Sequence, residues 1–301
     1  MLGTRLIIGL SMVAGFLAVL WLDQWFAPWY PLWFLTTTVV IGHAALETVG
    51  LLNETSARPS GNTVFGGVMV ITVANWAPHV TAYLLHGRPE GAEAAYDAVA
   101  PVNALAWPLL AFVAVVMFSF IAQSAQFEQP GRTMATIAGT VLAVAYIGIL
   151  GSFIIQLRWL NQGTVAMVAL IATAKGADTG AYTLGRLAGR HKLWPRLSPN
   201  KTIEGALGGM AFGLVAALIV FAGARYALHI QALDWPVAVG YGLLVSAAAQ
   251  LGDLMESMIK RDCARKDAST TLPGFGGVLD VMDSLLFAGP VAFGYWIAFV
   301  P

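Results

Sequence analysis

The sequence predicts an all-α, polytopic integral membrane protein with about nine spanning helices, and three observations carry that prediction. Of the 301 residues 58% are hydrophobic and only 11% charged, with a mean hydropathy of +0.72. The apolar runs approach or exceed the roughly 20 residues that cross a bilayer as a helix. None shows the apolar–polar alternation of a membrane barrel strand, so the helix is the element that satisfies its own backbone in lipid.

The runs follow in order. Leu6–Leu22 comes after Arg5 and has no small-residue cleavage site behind it, so it reads as a retained span rather than a removed signal peptide. Trp29–Leu46 is crowded by Pro28 and Pro31 at its start and bounded by Glu47. Val64–Leu85, Val102–Ala122 and Met134–Leu157 complete a first group of five. Val165–Leu184, Ile203–Ala224, Pro236–Ile259 and Ser284–Val300 form the second group. Trp21, Trp25, Trp29, Tyr30, Trp159 and Trp235 fall near span ends, where amphipathic rings anchor at the membrane interface.

Lys and Arg set the orientation. With the N-terminus inside, Arg5, Arg58, Arg132, Arg186, Arg190, Lys192, Arg196, Lys201, Lys260, Arg261, Arg265 and Lys266 are cytoplasmic. Only Arg88, Arg158 and Arg225 lie opposite, beside an acidic loop with Glu90, Glu93 and Asp97, and Lys175 lies within a span. Twelve against three is a strong positive-inside signal and puts the expected site on the cytoplasmic face; the expected location is a bacterial-type inner membrane. Net charge is zero, which predicts no nucleic-acid partner, and the single Cys263 excludes an intrachain disulfide. Residues 1–160 read as a scaffold of about five spans. Residues 161–301 read as a catalytic region of about four, the two parts forming one structural unit.

The chemistry concentrates in that second region. Residues 257–283 bring Lys260, Arg261, Arg265, Lys266, Asp267, Asp280 and Asp283 together around a Gly-rich turn with Gly276 and Gly277. Cations suit phosphate oxygens, glycines let backbone N–H groups approach an anion, and paired carboxylates hold a hard divalent metal. Asp280 and Asp283 are i, i+3 at the entrance to the last span; with Asp253 they make a candidate Mg²⁺ site open to phosphate and water.

In the sixth span Lys175, Asp178, Tyr182 and Arg186 share one helical stripe. One reading is a buried Lys175–Asp178 pair that fixes packing; the favoured one is a stripe turned toward a site. Gly176, Gly180, Gly185 and Gly189 suit close helix packing. Ser198 before Pro199 reads as a helix N-cap, with Lys201 in the first turn as an anion ligand. In the eighth span Gln250, Asp253, Ser257, Lys260 and Arg261 fall in an arc of roughly 100°, with Glu256 on its flank. A structural role for Asp253 would be an ion pair to Lys260 or Lys175.

These segments resemble the phosphatidate cytidylyltransferase family. Ser257, Ile259, Lys260, Arg261, Lys266, Asp267, Ser269, Leu272, Pro273, Gly276, Gly277, Val278, Asp280, Met282 and Asp283 match its signature in place. The segments Asp178–Arg190 and Ser198–Gly205 also look like that family. Coverage is residues 170–301; the first half is similar only in its apolar spans. Phe275 and Val281 stand where the family has His and Arg, and Arg265 is an extra cation available to compensate.

The resemblance implies transfer of a cytidylyl group from CTP to phosphatidate, giving CDP-diacylglycerol and pyrophosphate for phospholipid synthesis. It implies Mg²⁺, leaves a second cation open, and implies a nine-span homodimer in the lipid bilayer. On this reading Asp253, Asp280 and Asp283 hold the metal, and Lys201, Lys260, Arg261 and Lys266 bind triphosphate or lipid phosphate. Asp178 and Ser198 support the polar cavity, while Ser257, Asp267, Gly276 and Gly277 belong to the substrate-binding signature. Three alternatives use the same residues: a CTP-dependent lipid-alcohol kinase, a catalytically impaired scaffold, and an ion-coupled transporter.

Overall fold

The computed structural model describes residues 2–86, 100–128, 130–230 and 234–300. The acidic loop with Glu90, Glu93 and Asp97, and Arg88 beside it, lie outside the described residues. Eight helical stretches among the described residues are long and apolar enough to cross a membrane: Ile7–Phe26, Pro31–Leu52, Gly61–Leu85, Pro101–Ala125, Thr133–Trp159, Ile203–Ala227, Trp235–Asp262 and Val278–Phe299. The sixth expected span is a continuous helix, Gly163–Ala188, but polar residues including Lys175 and Asp178 dilute its apolar run.

The chain divides into two units, Met1–Trp159 with Asp262–Val281, and Leu160–Arg261 with Met282–Pro301. The first unit contains α1 (Leu2–Leu22), α2 (Pro31–Leu52), α3 (Gly61–Ala74), α4 (Ala77–His86), α5 (Pro101–Ala104), α6 (Ala106–Ala125), α7 (Thr133–Val144) and α8 (Leu150–Gln156). Between α7 and α8 a π-helical turn, Ala145–Ile149, continues the same rod. Asp23 explains how α2 begins despite its prolines. Pro31 occupies the first turn, and the buried Asp23 carboxylate accepts from the N–H groups of Leu32 at 3.0 Å and Trp33 at 2.7 Å. These are donors that a helix N-terminus leaves unsatisfied. Helix α2 then runs six residues past the expected Leu46, so Glu47 is buried within it rather than ending it.

The second unit contains α9 (Gly163–Ala188), an antiparallel hairpin of β1 (Lys192–Trp194) and β2 (Ser198–Thr202), α10 (Ile203–Ala227) and α11 (Trp235–Asp262). Helices α9 and α10 meet through glycines, as expected. A Cβ at Gly180 would stand 2.5 Å from the Phe212 Cβ, and one at Gly208 would stand 2.6 Å from the Leu184 Cβ. Small residues let these backbones approach in the way membrane helices favour. The last helix, α12 (Val278–Phe299), starts six residues before the expected Ser284, so Asp280 and Asp283 lie inside its first two turns.

One local expectation fails. Ser198 and Pro199 form strand β2, not a cap. The N-cap of α10 is Thr202, whose Oγ1 accepts from the Gly205 N–H at 3.0 Å. Glu204 reaches back to accept from the N–H groups of Arg190 at 3.0 Å and His191 at 3.2 Å. Those bonds close the hairpin and draw residues 198–201 into an extended strand.

Candidate active site

Two groups of polar side chains stand out, one in each unit. In the second unit α9 presents Lys175 and Asp178 one turn apart, with Nζ 2.9 Å from Asp178 Oδ2. Lys175 also donates to Ser284 Oγ on α12 at 3.0 Å, and Ser284 Oγ donates to Asp178 at 3.3 Å. Asp283 and Asp253 lie within electrostatic reach of Lys175. From β2, Lys201 pairs with Asp253 at 2.8 Å. Three carboxylates therefore stand against two ammonium groups, Lys175 and Lys201, which leaves an excess of negative charge.

Both structural readings of Lys175 and Asp253 resolve here. The Lys175–Asp178 pair exists and is half-buried, and the partner of Asp253 is Lys201 rather than Lys260 or Lys175. Lys201 leaves from a strand just before the helix, so it reaches Asp253 without belonging to a helical turn. Lys260 instead pairs with Glu256 one turn earlier, and both are buried. Tyr182 and Arg186, the outer half of the stripe, are exposed and bonded to each other at 3.0 Å. Arg261 is exposed near the end of α11. Ser198 and Ser257 are half-buried, and among the described residues no hydrogen bond joins either to this group.

In the first unit the Gly-rich turn is held by two carboxylates. Glu47 Oε1 accepts from Ser269 Oγ at 2.6 Å and the Val278 N–H at 3.1 Å, and its Oε2 accepts from the Leu279 N–H at 2.8 Å. Asp280 Oδ2 accepts from the Gly277 N–H at 2.7 Å and the Ala268 N–H at 2.8 Å. Phe275 and Gly276 both donate to the Leu272 carbonyl, at 3.0 and 3.1 Å. Every backbone N–H from 275 to 279 thus has a protein acceptor. The glycines leave room for the carboxylates: Gly276 has φ +91°, and a Cβ there would stand 2.6 Å from Asp280 Oδ2.

On the same loop Lys266 and Asp267 are exposed, and Arg265 pairs with Glu54 at 2.7 Å, both half-exposed. The Phe275 ring reaches toward α1, where a Cβ on Gly9 would stand 3.5 Å from its edge. Sequence reasoning missed Glu47, Ser284 and Thr202. Glu47 carried the clearest signal, an ionisable residue inside an apolar run.

The acidic group suits a hard cation: its donors are carboxylate oxygens and its formal charge is negative. Within either unit, among the described residues, no three Asp, Glu, His or Cys side chains form a ready-made metal cage. Mg²⁺ needs none, since it keeps water and takes one or two carboxylates together with substrate phosphates.

A model of the cytidylyltransferase family matches residues 3–299. The chain belongs to that family. Among curated relatives, the phosphatidate cytidylyltransferase of Staphylococcus aureus (strain COL) is 35% identical over 193 residues, covering 64% of this chain and 72% of that protein. That of Bacillus subtilis (strain 168) is 41% identical over 154 residues, covering 50% of this chain and 54% of that protein. The Lys175, Lys201 and carboxylate group is where the second unit gathers opposite charges.

Proposed function

We propose that this membrane enzyme transfers the cytidylyl group of CTP to phosphatidate, giving CDP-diacylglycerol and pyrophosphate. The observation that carries the reading is the alternation of ammonium and carboxylate groups from Lys175 to Lys201, all but Lys201 set within largely apolar helices. Intramembrane charges are costly and mark substrate pathways. A phosphatidate oxygen attacks the α-phosphorus of CTP, the bond from that phosphorus to the bridging oxygen breaks, and pyrophosphate leaves. The attacking phosphate is already ionised near neutral pH, so no side chain has to act as base.

The chain contributes position and charge. Lys201 and Lys175 each hold a carboxylate, and either ammonium could instead hold a phosphate oxygen of the substrate. Asp253 and Asp283 are the residues that would hold Mg²⁺, which neutralises charge developing on the phosphates. Asp280 joins the proposal through the signature, three residues before Asp283 on the same helix. Lys266 and Arg261, both exposed, are the further cations for triphosphate or lipid phosphate. The test is incubation of purified protein with phosphatidate, Mg²⁺ and CTP labelled in cytidine or at the γ-phosphate. Cytidine label in the lipid fraction is expected. The γ-label there identifies a lipid kinase instead, and no label overturns both.

The site is proposed to face the cytoplasm, on the twelve-to-three basic asymmetry. Cys263 is buried, and burial pushes its thiol pKa up, with the charges of Asp262 and Glu54 adding. In a Cys263→Ser background, Leu228→Cys should react with an impermeant maleimide on intact cells and Arg196→Cys should not. The reverse pattern overturns the orientation.

A further inference from the structure

We propose that Glu47, in the second span, is a positioning residue of the enzyme: it fixes the signature turn and the first turn of α12, which carries Asp280. A carboxylate in a spanning helix is expensive and calls for a partner. Glu47 is only 7% exposed, and its partners all lie on one segment, residues 269–279: Ser269 Oγ and the N–H groups of Val278 and Leu279. Val278 and Leu279 open α12, so these are two of the donors that a helix start leaves unsatisfied. The residue just before them, Gly277, has no side chain to cap with. Glu47 supplies the cap from more than two hundred positions away in sequence, and its negative charge suits the positive end of the helix.

The turn is built around that arrival. A Cβ on Gly277 would collide with both Glu47 carboxylate oxygens, so the glycine leaves room for them. From the other side Asp280 closes the same turn onto Gly277 and Ala268. Two carboxylates therefore determine the path from Ala268 to Leu279, and with it the place of Asp280. The apolar N-terminal spans, residues 1–160, thereby supply one residue that the reaction needs.

The activity readout rests on the proposed reaction; the structural readout does not. In Glu47→Gln one oxygen becomes an NH₂ donor, leaving a backbone N–H of the pair opposed. Hydrogen exchange at Gly277, Val278 and Leu279 should quicken by about tenfold or more, with exchange in α9 and α10 unchanged. Cytidylyl transfer should lose about 10- to 100-fold in kcat, the range for one hydrogen bond to a charged group, while the KM for phosphatidate stays within about threefold. Ser269→Ala, which removes one donor of three, is the milder variant should Glu47→Gln fail to fold. It should move both readouts in the same direction by less.

Gly277→Ala closes the argument. In the parent it should damage both readouts, and in a Glu47→Ala background it should add little, because the collision is gone. Full additivity of the two substitutions overturns the proposal. So does unchanged exchange at 277–279 in folded Glu47→Gln. Altered exchange with unaltered kcat keeps the clamp but removes its catalytic role. If the parent makes no CDP-lipid, the exchange and additivity arms still decide the clamp, and the proposed reaction alone falls.

Discussion

Asp253 and Asp280 are both candidate metal ligands, yet the molecule satisfies them by opposite means. Asp253 pairs with the ammonium of Lys201, at the end of a flexible four-carbon stem. Asp280 accepts from two backbone N–H groups that cannot swing away without unfolding the turn. The same contrast separates Asp178, paired with Lys175, from Glu47, bound to the start of a helix. A carboxylate held by lysine can exchange that partner for a metal or release it to a phosphate at little structural cost. One held by backbone is part of the fold. Asp178 and Asp253 in the second unit therefore sit in exchangeable pairs, whereas Glu47 and Asp280 at the signature turn of the first are held fixed.

The sharpest way to break this comparison is Asp253→Asn. The amide is nearly isosteric, and Lys201 loses a counter-charge that solvent can replace at a half-exposed position. The expected result is an unchanged melting temperature with a loss of about 100- to 1,000-fold in kcat, the scale for removing a group that stabilises transition-state charge. A clear drop in stability with near-parent turnover would place Asp253 among the fixed carboxylates and erase the distinction.

Asp280→Asn tests the other side. Both N–H groups bond to Oδ2, and an amide oxygen in its place still accepts from Ala268 and Gly277, but without the negative charge that strengthens the two bonds. Both stability and turnover should fall, turnover by about 10- to 100-fold as for a bond to a charged group. Scanning calorimetry beside the labelled-CTP assay separates the outcomes. Lost turnover at full stability would make Asp280 behave like Asp253, as a ligand first and a clamp second.

How much of this was legible follows from how far apart the partners lie. The spans, the Lys175–Asp178 pair and the glycine seam of α9 are local patterns, so hydropathy and three- to four-residue spacing revealed them. The bonds of Lys201 to Asp253, Lys175 to Ser284 and Glu47 to Leu279 join residues 52, 109 and 232 positions apart, and no periodicity encodes them. The Ser198–Pro199 dipeptide shows a different failure. It satisfies the local rule for an N-cap, but Thr202 and Glu204 supply a better one four to six residues later, and the tertiary bond of Glu204 to Arg190 and His191 decides between them. Glycines 276 and 277 were recognised as a place of close approach; what approaches is carboxylate from the same protein.

The smallest effect is expected at Arg265, and it refines the comparison where a flexible cation meets the fixed turn. The sequence offers Arg265 as a replacement for the guanidinium missing at Val281, reaching CTP. In the structure it donates to Glu54 at 2.7 Å, with both side chains about half exposed. Exposed pairs of this kind contribute roughly 0–1 kcal/mol, because water competes for both partners and salt screens them. Arg265→Ala should therefore leave the melting temperature nearly unchanged and shift the KM for CTP by less than about fivefold, the equivalent of that range. An increase of tenfold or more would mean that Arg265 leaves Glu54 for the nucleotide. In that case Glu54→Gln, by releasing the arginine, should lower the KM for CTP below the parent value. If it does, Arg265 belongs with Lys201 among the exchangeable pairs, despite its place on the loop that Glu47 and Asp280 hold still.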